Sequence, residues 1–286
     1  MSDAEVGKRA LAGRRVLELA DEKGVYCGKL LADMGADVIK IEPPGGDATR
    51  DIPPFWGDRR HPETSLFFLY TNTSKRGVTL DVSCEEGREL FRQLAKSADM
   101  VLETFPPGFL EGLGLGYEDL RGSNPRLVFT SISDFGQTGP HRSFRSSDMV
   151  ASALGGWMYV TGEEEDPPVK LAGSQAHMMA STYAAVSSVI ALYRGAITGV
   201  GQHVDISVEE AAVSVSHICG VGKWLDDGII PRRRGTGLFA SVPSGAYPCT
   251  DGMVYLMVNR PLHWQALARW ISEVTGNQEV LDPMFE

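Results

Sequence analysis

Close to its start the chain switches hydrophobic period and then switches back, and that alternation restricts the fold more than any other feature. Arg15 to Leu19 reads as a short strand, Val25 to Met34 as a helix with Tyr26, Leu30, Leu31 and Met34 on one face, and Asp37 to Ile41 as a second strand. Gly35 stands where a helix C-terminal cap belongs. A strand–helix–strand unit this short implies a parallel pair joined by a right-handed crossover, the building block of a doubly wound sheet. The pattern recurs: Gly77 to Asp81 is strand-like, Glu85 to Ser97 helical with Leu90, Phe91 and Leu94 inward, and Met100 to Leu102 and Arg126 to Ser131 are strands. The fold class is therefore α/β with a parallel sheet.

Three Pro- and Gly-rich loops, Pro43 to Asp47, Pro106 to Gly108 and Phe135 to Pro140, each follow a proposed strand. Ligands of open parallel sheets sit beyond the strand C-termini, so these loops are candidates to line one crevice. Further on, Gln175 to Ile197 is a long Ala- and Ser-rich apolar segment, Gly199 to Asp205 turns into a strand, and Glu209 to Trp224 reads as helix. After the basic stretch Pro231 to Gly237, Gly245 to Val258 suggests two strands around Asp251-Gly252, then a helix from Leu262 to Thr275. This is a second, smaller α+β domain, and the few residues laid down for it read as truncated or completed by a partner.

Composition removes several functional classes. Lys and Arg number 27 against 37 Asp and Glu, a net charge of −10, which opposes binding to a nucleic-acid backbone. No window reaches the ~20 apolar residues that cross a bilayer, and the start lacks a secretory core, so no membrane role is expected and the protein reads as soluble and cytoplasmic. Cys27, Cys84, Cys219 and Cys249 form no CxxC pair and read as buried free thiols, and the six histidines show no metal-ligand spacing. No metal site is expected. GxGxxG and GxxxxGK[ST] are absent, which makes NAD and ATP poor candidates.

The segments Gly35 to Asp47, Lys75-Arg76 before Val78 to Asp81, Asn124 to Val128, Phe135 to Pro140, Gly155-Gly156, Thr161-Gly162, Pro167 to Lys170 and Gly199 to Asp205 together resemble the class III CoA-transferases, the CaiB/BaiF and formyl-CoA transferase family. The resemblance implies a Rossmann-like large CoA-binding domain over 10–205, a linker helix and loop over 206–234, and a small domain over 235–286. It also implies two interlocked chains, and a C-terminal return to the large domain that this sequence does not contain. It implies further that no cofactor is held permanently and that acyl-CoA and a carboxylic acid are the substrates. In the family a buried Asp attacks the thioester, giving an acyl–aspartyl anhydride and CoA thiolate, and an acceptor acid then exchanges in. Alignment without a gap places that Asp at position 177, where the chain has His177.

The same resemblance nominates Asp148 as a second catalytic residue near the thioester, an N-terminal cap being the competing role. Lys23, Leu80, Thr104, Phe105 and Arg145 are the expected CoA contacts. Pro43 and Gly112 stand where the family carries Arg, Thr104 where it carries Asn, and Asp21 to Gly24 replaces a His/Gln-Ala-Gly-Pro pattern. Losing two guanidinium groups weakens phosphate binding. The expected function is movement of CoA between an acyl-CoA and a carboxylic acid, in a homo- or heterodimer with a paralogue and, because of His177, with an Asp-bearing partner. The alternatives are a non-catalytic subunit of such a heteromer, or a CoA-ester binding or lyase-type offshoot using His177 as a base.

Overall fold

The computed structural model describes residues 9–216, 221–237 and 243–285. Six strands, β1 (Arg15–Leu19), β2 (Asp37–Glu42), β3 (Arg76–Thr79), β4 (Met100–Glu103), β5 (Val128–Ser133) and β6 (His203–Ser207), form one parallel sheet in the order β3-β2-β1-β4-β5-β6. Every residue of β4 and β5 is buried, as expected of strands covered by helices on both faces, while the edge strand β3 is exposed. The order reverses between β1 and β4, and crossovers leaving in opposite directions open a crevice beyond the strand C-termini there. β5 begins two residues later than the sequence suggests, because the Leu127 amide closes a turn on the Asn124 carbonyl at 3.0 Å.

The helices of six or more residues in this unit are α1 (Val25–Asp33), α2 (Leu66–Thr71), α3 (Glu85–Lys96), α4 (Asp148–Leu154), α5 (Gln175–Thr198) and α6 (Val208–Val215). Two buried faces differ from expectation. α1 buries Val25, Cys27, Gly28, Leu31 and Ala32, leaving Tyr26, Leu30 and Met34 half-buried. The cause is Gly28: a Cβ there would lie 1.6 Å from Glu18 Oε2, so only a glycine lets α1 settle onto β1. α3 turns Gly87, Phe91 and Ala95 inward, whereas Leu90 is exposed and Leu94 half-buried. The i, i+4 row with small residues at both ends allows close approach to the sheet. A Gly28→Ala variant is expected to lose about 3 kcal/mol of stability in urea denaturation, the range of an overpacked core; a loss below ~0.5 kcal/mol would mean Glu18 moves aside freely.

α5 buries a face of small residues, including Ala176, Ala180, Ser181, Ala184 and Ser188, and packs on α1, α4, α6, β5 and β6. Ser188 Oγ meets Thr130 Oγ1 at 2.8 Å, which satisfies two hydroxyls inside the core. The helix ends at Gly199, whose φ of 74° suits a left-handed cap.

The described residues separate into two compact units, 9–156 with 171–216, and 157–170 with those following 216. α6, placed in a linker by the sequence, packs with α4 and α5 in the first unit. The helix expected over 209–224 is interrupted after Val215, and 217–220, with Cys219 next to its end, lie outside the described residues.

In the second unit are α7 (Val221–Asp227), an antiparallel pair β7 (Ser244–Cys249) and β8 (Gly252–Met257), and α8 (Pro261–Thr275). Arg233 donates to the carbonyls of Glu163 (3.1 Å) and Tyr159 (3.2 Å), which ties the basic stretch to this unit. Cys27 is buried as expected, but Cys84 and Cys249 are exposed. No described helix is long and apolar enough to cross a membrane.

Candidate functional site

At the reversal of strand order lies a cleft of about 760 Å3, lined by the residues that follow β1 (Ala20, Asp21, Lys23), β2 (Pro43, Asp47), β3 (Leu80, Asp81) and β4 (Thr104 to Pro107), and by Ser133 to Asp134 and Arg142 to Ser146 after β5. Its size suits a cofactor-sized molecule, since such sites run to roughly 1,000 Å3. All five residues expected to touch CoA, Lys23, Leu80, Thr104, Phe105 and Arg145, line it. The loops beginning at Pro43 and Pro106 do so as well, whereas Phe135 to Pro140 does not. Asp205 takes that loop instead, accepting the Gln137 amide at 3.0 Å, and the following arm supplies the wall. Asp134 Oδ2 fixes the arm by accepting the Ser146 amide at 2.9 Å.

The electrostatics are mixed. Lys23 is paired with Asp21 at 2.6 Å, so much of its charge is spent within its own loop. Among the described residues, neither Arg142 nor Arg145 is in an ion pair, which leaves the arm as the cationic wall. Apolar faces come from Phe105 and Phe109, stacked with centroids 4.6 Å apart, and from the exposed Phe144. Beneath the cleft, Glu103 accepts the Phe105 amide at 2.7 Å. Burial pushes its carboxyl up to about 7; hydrogen bonds from Ser131 and Phe105 oppose this, and Glu111 and Asp21 add to it. Sequence reasoning missed Glu103, Arg142 and Phe144. The first is a charged residue ending an apolar strand, the signal that singles it out.

His177 and Asp148 come together, but away from the cleft lining, behind the loop that follows β1. Ser181 Oγ donates to the Lys23 carbonyl at 2.7 Å and seats that loop on α5. Asp148 Oδ1 accepts the amides of Ala176 (2.8 Å) and His177 (3.3 Å), so it caps the N-terminus of α5, while its own helix is capped by Ser147. His177 is 2% exposed, and neither ring nitrogen has a hydrogen-bond partner. Glu22 Oε1 lies 3.7 Å from Nδ1, and the Glu22 side chain reaches solvent. Burial lowers the imidazole pKa, against the pull of Glu22 and Asp148, so the ring stays neutral near pH 7. A neutral, unpartnered imidazole beside a carboxylate can hold or move a proton. It carries no anionic charge of its own.

A parallel sheet in this order with a strand-end cleft defines the doubly wound class of α/β proteins that hold nucleotide-like ligands at the switch point. More specifically, the sequence profile of CoA-transferase family III matches residues 11–285, and the chain belongs to that family. It is 40% identical to the succinyl-CoA:(R)-benzylsuccinate CoA-transferase subunit BbsE of Thauera aromatica over 95% of this chain and 65% of that protein. It is 38% identical to the succinyl-CoA–D-citramalate CoA-transferase of Chloroflexus aurantiacus, over 87% of this chain and 61% of the relative. A CAIB/BAIF family protein from Brucella suis superposes with a TM-score of 0.81 at 33% identity, covering 96% of this chain and 73% of that one. The chain thus spans less than two thirds of the length of these two curated relatives.

Proposed function

We propose that the protein takes part in moving CoA between an acyl-CoA thioester and a carboxylic acid, alongside a relative that supplies the acyl-accepting aspartate. The observation that carries this reading is the neutral imidazole buried at the N-terminus of α5, where the family resemblance puts a carboxylate. In the carboxylate route an Asp oxygen attacks the thioester carbonyl and the C–S bond breaks, its electron pair staying on the CoA thiolate. The thiolate attacks the Asp carbonyl of the anhydride and releases the donor acid. The acceptor carboxylate displaces CoA from the resulting aspartyl thioester to give a new anhydride, and the thiolate attacks the acceptor carbonyl of that anhydride to give the new acyl-CoA and free Asp. The neutral ring of His177 has no carboxylate oxygen with which to form that anhydride. The strand-end cleft, with its arginine arm and aromatic faces, supports binding of the nucleotide half of CoA. A relative named as a subunit supports assembly with a second chain.

The test is direct. Purified alone, the protein is expected to transfer CoA from succinyl-CoA to a panel of carboxylic acids at no more than about 1% of the rate seen after co-expression with an Asp-bearing relative. Full turnover by the protein alone, abolished in a His177→Ala variant, would replace this reading with a self-sufficient enzyme.

A further inference from the structure

Among the charged residues of the segment Gly35 to Asp47 are Lys40 and Asp47, to which the CoA reading gives no role. Lys40 is 2% exposed in the middle of β2. Its ammonium touches Glu18 Oε1 of β1 at 3.3 Å, the Ala20 carbonyl beyond β1 at 3.0 Å, and Asp47 Oδ2 beyond β2 at 2.9 Å. A second buried lysine, Lys75, meets Glu18 Oε2 at 2.8 Å and is itself held by the Val25 carbonyl (2.8 Å) and Asn72 Oδ1 (2.9 Å). Two ammonium groups and two carboxylates therefore balance inside the domain. Burial works to lower the Lys40 pKa, but Glu18 and Asp47 outweigh it, so Lys40 stays charged.

Such a set is a poor way to gain stability, since well-packed apolar side chains of the same volume do as well or better. What an apolar side chain cannot do is grip two loops at once. Ala20 and Asp47 both line the cleft, and Asp47 also accepts the Thr49 amide at 2.7 Å, which starts the turn Ala48–Asp51. We infer that Lys40 is a positioning residue of the cleft: its ammonium, clamped between the Ala20 carbonyl and the Asp47 carboxylate, sets the spacing of the walls that follow β1 and β2. The inference rests on the CoA reading for the ligand, and on the geometry alone for the clamp.

The double variant Lys40→Met/Asp47→Asn tests it, because it removes one buried charge of each sign and leaves Glu18 paired with Lys75. Its melting temperature is expected to stay within a few degrees of the parent's. Amide exchange at Gly24 to Val25 and Thr49 to Ile52 is expected to quicken about tenfold, and the calorimetric Kd for CoA, measured well below the melting temperature, to rise about tenfold. A merely structural role would move the melting temperature and leave that Kd in place.

Parent-like exchange in both loops, with a Kd within about twofold of the parent's, would overturn the clamp. If the parent itself does not bind CoA, the proposed function fails, and exchange alone still decides the clamp. Should the double variant not fold, Asp47→Asn alone detaches only the second loop. Faster exchange at Thr49 to Ile52 with Gly24 to Val25 unchanged is then the expected result, and no change at either loop would overturn the inference.

Discussion

The paired substitution His177→Asp with Glu22→Gln is expected to raise CoA transfer by the purified protein about a hundredfold over the parent, with an acyl group that hydroxylamine can trap. Position 177 lies in the first turn of α5, a helix of 24 residues, where the helix dipole favours a negative side chain although Asp148 already takes the amides of Ala176 and His177. His177 makes no use of that field, because burial holds its ring neutral. The second substitution matters because Glu22 reaches to within 3.7 Å of the present ring. Two carboxylates at that range do not both ionise readily, and a protonated acid is a poor nucleophile. His177→Asp alone is therefore expected to gain much less than the pair. Turnover from succinyl-CoA, followed by chromatography of the CoA esters, checks both variants. A double variant that folds, binds CoA and still shows neither turnover nor a trapped acyl group would remove position 177 from the argument.

The second large effect lies under the cleft floor. Glu103 is 5% exposed, and its carboxyl is pushed from the usual 4.5 up to about 7. The folded protein therefore binds this proton more tightly than the unfolded chain does. Its contribution is fully present below about pH 4.5 and fades as pH rises through about 7, a loss on the order of 3 kcal/mol. Glu103→Gln keeps an oxygen for the Phe105 amide and removes the titration. Relative to the parent, the variant is expected to gain on the order of 3 kcal/mol between about pH 5 and pH 8 in urea denaturation. Stability curves of parent and variant that run parallel across that window would show that Glu103 ionises in the folded state at its ordinary pH.

How much of this was legible in the chain differs from residue to residue. The strands β1, β2 and β4 and the helix α5 announce themselves through local period, and the loops after β2 and β4 through Pro and Gly. Which face of α1 is buried was not legible. That face is set by Glu18, whose carboxylate occupies the space a Cβ on Gly28 would need, and the two residues belong to different elements. Leu90 illustrates the same limit on α3: a leucine at a plausible period faces solvent, because Gly87 and Ala95 permit the closer approach.

At the site, the five residues expected to contact CoA reach one cleft, since each follows a strand at the same edge of the sheet. The arm carrying Arg142 and Phe144 was not read as a wall, because its placement depends on Asp134 and on the anchoring of the preceding loop by Asp205.

By itself the sequence determined the alternation of strands and helices, the parallel sheet, the strand-end location of the cleft and the presence of an imidazole at position 177. Only the tertiary structure decided that Asp148 caps a helix other than its own, that Glu22 faces His177, and that Lys40 joins two loops. The physical reason is range. Backbone period is set by neighbours in the chain, whereas burial, charge balance and the partners of a buried polar atom are set by segments that meet only after the sheet has formed.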